Sequence, residues 1–394
     1  MELTPEEQEM VTGKFGKATQ KAMEILVTLG EIYGAKRLIN ITSVQVAGVS
    51  YANLNEPGLK WLDEMAKDGK VKILTTLNPS GMDLEDWRKL AISEDFAKNQ
   101  LRVVDAFGKM GIITTCSCTP YLYGNLPHFG EHIAWSESSA VCYANSVIGA
   151  RTNREGGPSA LAAALVGKTP EYGFHLEENR QPEVRVNIKA VVKGTYQFGA
   201  LGKALGDKLG SKITYITGIP KASVEELKSF CASYATYGGV ALFHMEGITP
   251  EKVQKMPDET VEIIKEDLNK ALSELDEDTE IDFISLGCPH ASLAELEYIA
   301  KKLEGKKVNS KKEVWITTAR PTKQIADRMG FTKMIEDSGA KIAADTCCVV
   351  APIKGRFHGL ASDSAKMCYY GSGRNKFSVK LMSMDECLEE ALKL

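Results

Sequence analysis

The chain lacks the features that mark several large classes of protein. Its 394 residues carry 48 Lys and Arg against 52 Asp and Glu, without the basic excess of a nucleic-acid-binding protein. The longest apolar run, residues 160–166, is far shorter than the roughly 20 residues that cross a bilayer. The start of the chain is acidic and does not resemble a secretory signal. We therefore expect a cytoplasmic protein that binds neither nucleic acid nor membrane.

Two nucleotide-binding motifs are also missing. Residues 166–169 resemble the end of a P-loop, but the first glycine of that motif would fall on Ala162. Gly199, Gly202 and Gly206 do not directly follow a predicted strand, as the dinucleotide-binding motif requires. Neither segment predicts a nucleotide site.

Cysteine is sparse and is not arranged as a disulfide scaffold. Nine cysteines are spread over the chain, and no two of them form a CxxC pair, which excludes a thioredoxin-like motif and a ferredoxin-type electron carrier. In a reducing compartment such cysteines are core residues, metal ligands or nucleophiles, so their positions are informative.

The sequence does contain a regular alternation of short β-branched runs and helical segments, after an opening helix predicted over residues 4–30. This alternation is typical of α/β proteins built from three-layer α/β/α subdomains with mostly parallel sheets, in which the active-site cleft lies at the strand carboxyl ends. We expect subdomains at residues 1–170, at 171–308 with Cys288, and at 309–394 with Cys347 and Lys366. Strands are predicted at residues 38–46, 71–77, 111–115, 183–192, 213–216, 240–243, 281–286, 314–317 and 341–344.

Three of the predicted strand ends carry cysteine. Cys116 and Cys118 follow one strand, Cys288 follows another, and Cys347 and Cys348 follow a third. Three thiolates are too few for a closed zinc site, but they suit an iron–sulfur cluster with one open iron, a Lewis acid that assists removal of a hydroxyl group. Spacing alone does not choose between the neighbours in either pair, and each cysteine could instead be a buried core residue.

The densest polar run of the chain, residues 137–158, is typical of anion and hydroxyl recognition. Arg151 and Arg154 lie near its end, where an exposed turn leading into a capped helix is the alternative. The tail adds Lys366 and Arg374 in glycine-rich surroundings, and for each of these a surface loop is the default interpretation.

Taken together and in order, the strand-end motifs resemble the aconitase X family, and the resemblance runs nearly end to end. Within the family the chain is most similar to the large subunit of the two-subunit archaeal type, rather than to the longer single-chain bacterial type. The motifs are ITSV at residues 41–44, GVSY at 48–51, TTLNP at 75–79, CTPY at 118–121, SLGCPH at 285–290 and ADTC at 344–347.

The resemblance implies an aconitase-like fold and an iron–sulfur hydro-lyase that converts (R)-mevalonate 5-phosphate to trans-anhydromevalonate 5-phosphate in archaeal-type isoprenoid synthesis. It implies an iron–sulfur cluster held by Cys118, Cys288 and Cys347. The favoured form is a 4Fe-4S cluster with one open iron, and the alternatives are a 3Fe-4S form that has lost this iron or a smaller cluster. The catalytic base would be a serine of a small swivelling-domain subunit, so the protein would be a heterodimer or a higher heteromer. The implied substrate contacts are Gly48, Val49, Ser50, Asn78, Pro79, Glu137, Ser138 and Lys366.

One departure from the family pattern is Gln45, where a histidine is expected before the turn that begins at Gly48. This difference bears on how protons are transferred, or how the substrate is oriented, at this turn. A rival function is the dehydration of cis-3-hydroxy-L-proline, which belongs to the single-chain type with a fused domain. Two further rivals are a non-catalytic iron–sulfur protein, which would not need the polar run at residues 137–158, and a metal-free α/β enzyme with thiols in its core.

Overall fold

The computed structural model describes residues 1–393, and the first part of the chain forms two small sheets between helices. Strand β2 pairs in parallel with β3 and β4, whereas β1 pairs antiparallel with β5. The elements are α1 (Pro5–Val11), α2 (Lys17–Ile32), β1 (Leu38–Asn40), β2 (Ser43–Val46), α3 (Tyr51–Met65), β3 (Leu74–Leu77), α4 (Glu94–Lys109), β4 (Ala134–Trp135), α5 (Ser138–Tyr143), α6 (Gly157–Val166) and β5 (Lys168–Pro170).

The opening helix is interrupted, so the prediction of one helix over residues 4–30 is wrong. Thr4 and Glu7 do form the capping box that starts α1. Gly13 and Gly16 then adopt positive φ angles of 84° and 96°, which a continuous helix does not allow. The second helix restarts at Lys17, where the Asp68 carboxylate accepts its main-chain amide at 2.7 Å.

The middle of the chain forms one parallel sheet in the order β8-β7-β6-β9. Helices α7 and α8 pack closely because Gly199, Gly202 and Gly206 present no side chain at their contact. A Cβ atom on Gly202 would lie 2.8 Å from the main-chain nitrogen of Tyr234. The elements are β6 (Val184–Ile188), α7 (Gly194–Leu209), β7 (Thr214–Thr217), α8 (Val224–Tyr237), β8 (His244–Met245), β9 (Thr260–Ile263) and α9 (Lys265–Ser273).

The last part forms a five-stranded parallel sheet in the order β12-β11-β10-β13-β14. One face packs on a core that includes Leu296 and Leu388, and the other on a core that includes Phe283 and Trp315, so both faces are covered. The elements are β10 (Phe283–Ala291), α10 (Leu293–Leu303), β11 (Glu313–Thr318), α11 (Arg320–Met329), α12 (Phe331–Asp337), β12 (Lys341–Ala344), β13 (Gly359–Ser362), α13 (Ala365–Tyr370), β14 (Ser378–Leu381) and α14 (Met384–Leu392).

The α/β class with mostly parallel sheets is confirmed, and the predicted strand at residues 341–344 coincides with β12. The strand predicted at 111–115 is reduced to a single bridge between Thr76 and Ile113, because the backbone turns at Thr115, whose amide bonds the Ile113 carbonyl. The strand predicted at 240–243 does not form either, since β8 begins only at His244.

The pairing of β10 bears on how the chain is divided. This strand carries Cys288 and pairs with β11 and β13 of the last sheet. A division at residues 308 and 309 would therefore separate β10 from its own sheet, and the pairing favours a division between α9 and β10. Within residues 1–393, no helix has the length and apolar character needed to cross a membrane.

We expect Gly202→Ala to lower the free energy of unfolding by about 1–3 kcal/mol, because the new methyl group would overlap α8. The matched control is Gly108→Ala in α4, where a Cβ atom would meet nothing within 4 Å. That control should gain about 0.4–1 kcal/mol from helix propensity and a less flexible unfolded chain. Urea unfolding midpoints test both changes, and equal midpoints for the two variants would contradict the close helix contact.

Candidate active site

A loop from the first part of the chain meets the carboxyl end of β10. The Cys118 sulfur accepts the main-chain amide of His290 at 3.2 Å, two residues beyond Cys288. The Ser117 hydroxyl lies 3.2 Å from Nδ1 of the same histidine. These contacts bring together two predicted cysteine ligands that are 170 positions apart in the sequence.

The third predicted cysteine shares this environment. Burial, together with the nearby Cys288, raises the pKa of Cys347 to about 12, although Lys366 opposes the shift. Burial also raises the pKa of Cys118 well above its usual range, with Glu137 and Cys347 adding to the shift and Lys366 opposing it. The three thiols therefore have one another, Glu137 and Lys366 as their electrostatic neighbours.

The structure also distinguishes the neighbours within each cysteine pair. Cys348 points into the last sheet, where its sulfur accepts the Ser285 hydroxyl at 3.1 Å. Cys116 is fully buried, and its pKa is raised by burial and by the nearby Asp345 carboxylate rather than by another thiol. Cys118 and Cys347 are thus the members of the two pairs that lie together.

The donor set fits an iron–sulfur cluster better than a single metal ion. No group of three His, Cys, Asp or Glu side chains within residues 1–393 is arranged to hold one ion. A cluster differs because it distributes its thiolate ligands over several iron atoms and accepts hydrogen bonds at sulfur. Cys118, Cys288 and Cys347 supply thiols around one space. The His290 amide donates to Cys118, and the nearby Ser364 hydroxyl opposes the rise that burial causes in the pKa of Cys288.

Glu137 and Lys366 form an ion pair beside the cysteines, and both side chains are more than nine-tenths buried. Glu137 is the N-cap of α5, where its carboxylate accepts the Ala140 amide at 2.8 Å and the Ser139 hydroxyl. Burial raises the pKa of Glu137, but Lys366 and these donors outweigh it, so the net shift is downward. For Lys366, burial lowers the pKa and Glu137 reverses this to a net rise. Both groups are therefore charged at neutral pH.

Gln45 organises the polar groups around this pair. Its Oε1 accepts the Glu137 amide at 3.1 Å, and its Nε2 donates to the Ser117 carbonyl at 3.1 Å and faces the Asn78 Oδ1 at 3.4 Å. The Gln45 side chain thus accepts from one N–H group and faces two oxygen acceptors. Unlike a histidine, whose charge changes with pH, it does both in a single, uncharged form. This is the physical role of the residue that departs from the family pattern.

The turn at residues 48–50 lies next to the Cys347 segment but presents mainly its backbone. The Val49 side chain is in the hydrophobic core, and the Ser50 hydroxyl donates to the Val350 carbonyl at 2.9 Å. Gln100 fixes the turn, because its Nε2 donates to the Val49 carbonyl and its Oε1 accepts the Tyr51 amide, both at 2.9 Å. Gly48 has a positive φ of 81°, which suits glycine.

The remaining predicted contacts lie at the edges of the same space. Asn78 is half-buried, and its main-chain N–H donates to the Val46 carbonyl at 2.9 Å. Pro79 is buried. Ser138 is 7% exposed in the first turn of α5, directly after Glu137. Asn78 reaches the site through Gln45, whose Nε2 faces the Asn78 Oδ1, and Ser138 reaches it as the neighbour of Glu137 in the chain.

His290 is a structural histidine that holds two site segments together. Its Nε2 lies 2.9 Å from the Thr346 carbonyl, and a carbonyl only accepts, so this nitrogen carries the proton. Burial lowers the pKa of His290 to about 4, so the ring is neutral and Nδ1 accepts the Ser117 hydroxyl. Both nitrogens are occupied, and neither is available to a substrate.

A second buried ion cluster, which the sequence pattern does not predict, supports the Cys347 segment. Arg320, at the start of α11, donates to Asp83 at 2.6 Å and also to Asp345, two residues before Cys347. Asp345 has an unfavourable positive φ of 62°, and its carbonyl accepts the Ser80 amide at 2.8 Å. The signal for this cluster was the Asp within the ADTC motif, whose partners lie far away in the sequence.

Much of the polar run at residues 137–158 is used for structure rather than for the site. Arg151 pairs with Glu177, and Glu155 is buried against the Ser159 hydroxyl at 2.6 Å. Arg154 is exposed at a bridge to Trp135. Only the beginning of the run reaches the cysteines.

We expect Lys366→Met to lower the free energy of unfolding of the metal-free chain by about 3–5 kcal/mol, because Glu137 would remain buried without a cation. Glu137→Gln combined with Lys366→Met should cost less than Lys366→Met alone, since no buried charge is left. Urea unfolding in a double-mutant cycle measures the coupling. Simple additivity of the two changes would show that the pair does not act as a unit.

Family models match nearly the whole chain in three consecutive segments. The aconitase X first domain matches residues 1–178, the second domain residues 182–273, and the third domain residues 281–393.

Individual proteins give the same result. The chain is 47% identical to the phosphomevalonate dehydratase large subunit of Methanothermobacter thermautotrophicus, over 93% of each chain. It is 32% identical to the cis-3-hydroxy-L-proline dehydratase of Hypocrea jecorina, over 99% of this chain and 68% of that protein. The crystal structure of Thermococcus kodakaraensis aconitase X in its holo-form matches with a TM-score of 0.92 and 45% identity, covering 99% of this chain and 100% of that one. This similarity confirms the aconitase-like α/β fold, and the chain belongs to the aconitase X family.

Proposed function

We propose that this chain is the large, iron–sulfur subunit of a hydro-lyase that dehydrates (R)-mevalonate 5-phosphate to trans-anhydromevalonate 5-phosphate. The observation that carries the proposal is the convergence of Cys118, Cys288 and Cys347 around the buried pair of Glu137 and Lys366. The choice of substrate rests on similarity to known proteins. The chain is 47% identical to a phosphomevalonate dehydratase large subunit but only 32% identical to a cis-3-hydroxy-L-proline dehydratase.

The three cysteines would hold a 4Fe-4S cluster that leaves one iron without a protein ligand. Such a cluster, when bound, supplies a Lewis-acidic iron that withdraws electron density from the leaving hydroxyl. The chain itself supplies donors near the sulfurs, since the His290 amide donates to Cys118 and the Ser364 hydroxyl lies near Cys288 and acts to lower its pKa. These donors stabilise negative charge on the thiolates.

Substrate binding would use the groups at the edges of the same space. Lys366 is held charged by Glu137 and would donate a hydrogen bond to a substrate oxygen with one of its remaining N–H groups. The main chain of Gly48, Val49 and Ser50 would contact substrate oxygens, since the side chains of this turn are engaged elsewhere. Asn78, Pro79 and Ser138 would complete the wall and fix the orientation of the substrate.

The catalytic base is best placed outside this chain. Glu137 already accepts from Lys366, Ser139 and Ala140, and its pKa is shifted downward, so it is a weak base. Both nitrogens of His290 are occupied. The relatives are named large subunits, which implies a smaller partner. A serine of this small swivelling-domain subunit would take the proton in a heterodimer or higher heteromer.

The proposal includes a cytoplasmic location. All nine cysteines are free thiols within the described residues. Free thiols are what a reducing compartment maintains, and they leave three cysteines available as cluster ligands.

The first test is anaerobic co-purification with the small subunit, followed by an optical spectrum and mass spectrometry for loss of one water from mevalonate 5-phosphate. We expect a brown complex that dehydrates this substrate and not cis-3-hydroxy-L-proline, whereas the large chain alone should bind a cluster but turn over poorly. Activity on hydroxyproline would favour the rival substrate. A stable cluster in an assembled complex without dehydration of either compound would favour a non-catalytic iron–sulfur protein.

We expect Cys118→Ala, Cys288→Ala and Cys347→Ala each to reduce bound iron and sulfide and to lower kcat by at least about a thousandfold, since a ligand of the cluster is lost. The matched controls are Cys116→Ala and Cys348→Ala, which remove the adjacent thiols that point into the core. The controls should keep iron, sulfide and most of the activity. Equal loss in control and ligand variants would overturn the assignment of ligands.

A further inference from the structure

Arg374 lies at the rim of the candidate site, in a position that the motif resemblance does not mark. It belongs to the π-helical turn Gly371–Asn375, which continues α13, the helix that carries Lys366. The next residue, Asn375, donates its side-chain amide to the Cys348 carbonyl at 3.2 Å. Arg374 is therefore attached on one side to the segment that contains Cys347.

On its other side Arg374 reaches the turn at residues 48–50. Its Nη2 donates to the side-chain Oδ1 of Asn53 at 2.9 Å. The main-chain N–H of Asn53 in turn donates to the Ser50 carbonyl at 2.9 Å. The Ser50 hydroxyl donates to the Val350 carbonyl at 2.9 Å and closes the ring of contacts. The guanidinium thus stands between two segments of the candidate site. Arg374 as a residue is half-buried, and its contact with Asn53 is open to solvent.

The charge of Arg374 meets no opposite charge within residues 1–393. Its hydrogen-bond partner in residues 1–393 is a neutral amide, and no Asp or Glu of this part of the chain pairs with it. By contrast, Lys366 is committed to Glu137, and Arg320 to Asp83 and Asp345. A guanidinium keeps several fixed donors free when one is bound to an amide oxygen.

The proposed substrate makes a further cation necessary. It brings a carboxylate and a phosphate, and the phosphate alone carries about −1.5 to −2 at neutral pH. Near the cysteines, the positive charge of Lys366 is already balanced by Glu137. A substrate with two anionic ends would therefore enter a site without net positive charge unless another cation is near.

We propose that Arg374 binds the phosphate of the substrate, at the rim formed with the turn at residues 48–50. The planar guanidinium matches two phosphate oxygens, and Asn53 holds it in place through the amide contact. Arg374 would thereby select phosphorylated hydroxy acids over unphosphorylated ones. The inference rests on the proposed function, since it assigns one end of that substrate.

The test compares Arg374→Gln and Arg374→Lys with the unmodified protein in the anaerobic complex with the small subunit. We expect Arg374→Gln to raise KM for mevalonate 5-phosphate by roughly tenfold to a hundredfold, as for loss of a charge-assisted hydrogen bond, with kcat changed by less than about threefold. Arg374→Lys should recover part of the loss, because it restores the charge without the fork. Binding of unphosphorylated mevalonate, measured by calorimetry, should be equal in all three proteins.

The matched control is Arg102→Gln, which also removes a guanidinium beside α3 but from exposed pairs with Glu56 and Asp63. It should leave KM unchanged. The proposal is overturned if Arg374→Gln leaves KM unchanged, lowers kcat alone, or weakens mevalonate binding as much as binding of the phosphorylated substrate. The last result would assign Arg374 to the carboxylate instead.

A second measurement separates failure of the inference from failure of the proposed function. Inorganic phosphate is titrated into the large chain while its thermal midpoint is recorded, which does not require turnover. We expect a rise in midpoint for the unmodified chain and for Arg102→Gln, and a smaller rise for Arg374→Gln. If the unmodified complex does not dehydrate mevalonate 5-phosphate, the proposed function fails, and this titration still decides whether Arg374 binds phosphate. Equal rises in all chains would overturn the inference even when the complex is active.

Discussion

Glu137 and Lys366 are separated by 229 positions in the chain, yet their charges meet where the three cysteines converge. Removing two charges from water costs several kcal/mol per ion, so such a pair persists only when hydrogen bonds complete its geometry. Here the Ala140 amide at the start of α5 and the Ser139 hydroxyl donate to the Glu137 carboxylate, and the Gln45 Oε1 accepts the Glu137 main-chain amide. The pair is one of the contacts that join the first part of the chain to the last beside the cysteines.

Local pattern was sufficient for the general architecture. The predicted strand at residues 341–344 became β12, and capping boxes begin α1, α8, α10 and α14. Predictions failed where a short apolar run had no partner strand to complete it, as at residues 240–243, or where glycines with positive φ divided a helix, as at Gly13 and Gly16. Propensity describes a segment, whereas strand pairing is decided by its neighbours.

The candidate site was only partly accessible to the same reasoning. Cysteines after strand ends are a visible signal, because parallel strands end on one side of a sheet. The choice of Cys118 over Cys116 is not visible, since it depends on the side chain meeting the His290 amide. The contacts of Arg320 with Asp83 and of Arg374 with Asn53 join residues hundreds of positions apart, and no local pattern encodes them.

The central position of β10 in its sheet has a consequence for the synthesis of the protein. This strand carries Cys288, and it pairs with β11 before it and with β13 after it in the sheet order. Its contact with the Cys118 loop joins segments far apart in the sequence. Such contacts form late in folding, and a growing chain emerges from the ribosome with its N-terminus first. The loop that contains Cys118 is synthesised well before β10, so its contact with the His290 amide forms only after the chain has extended that far. The cysteine site is completed later still, when the segment that contains Cys347 follows.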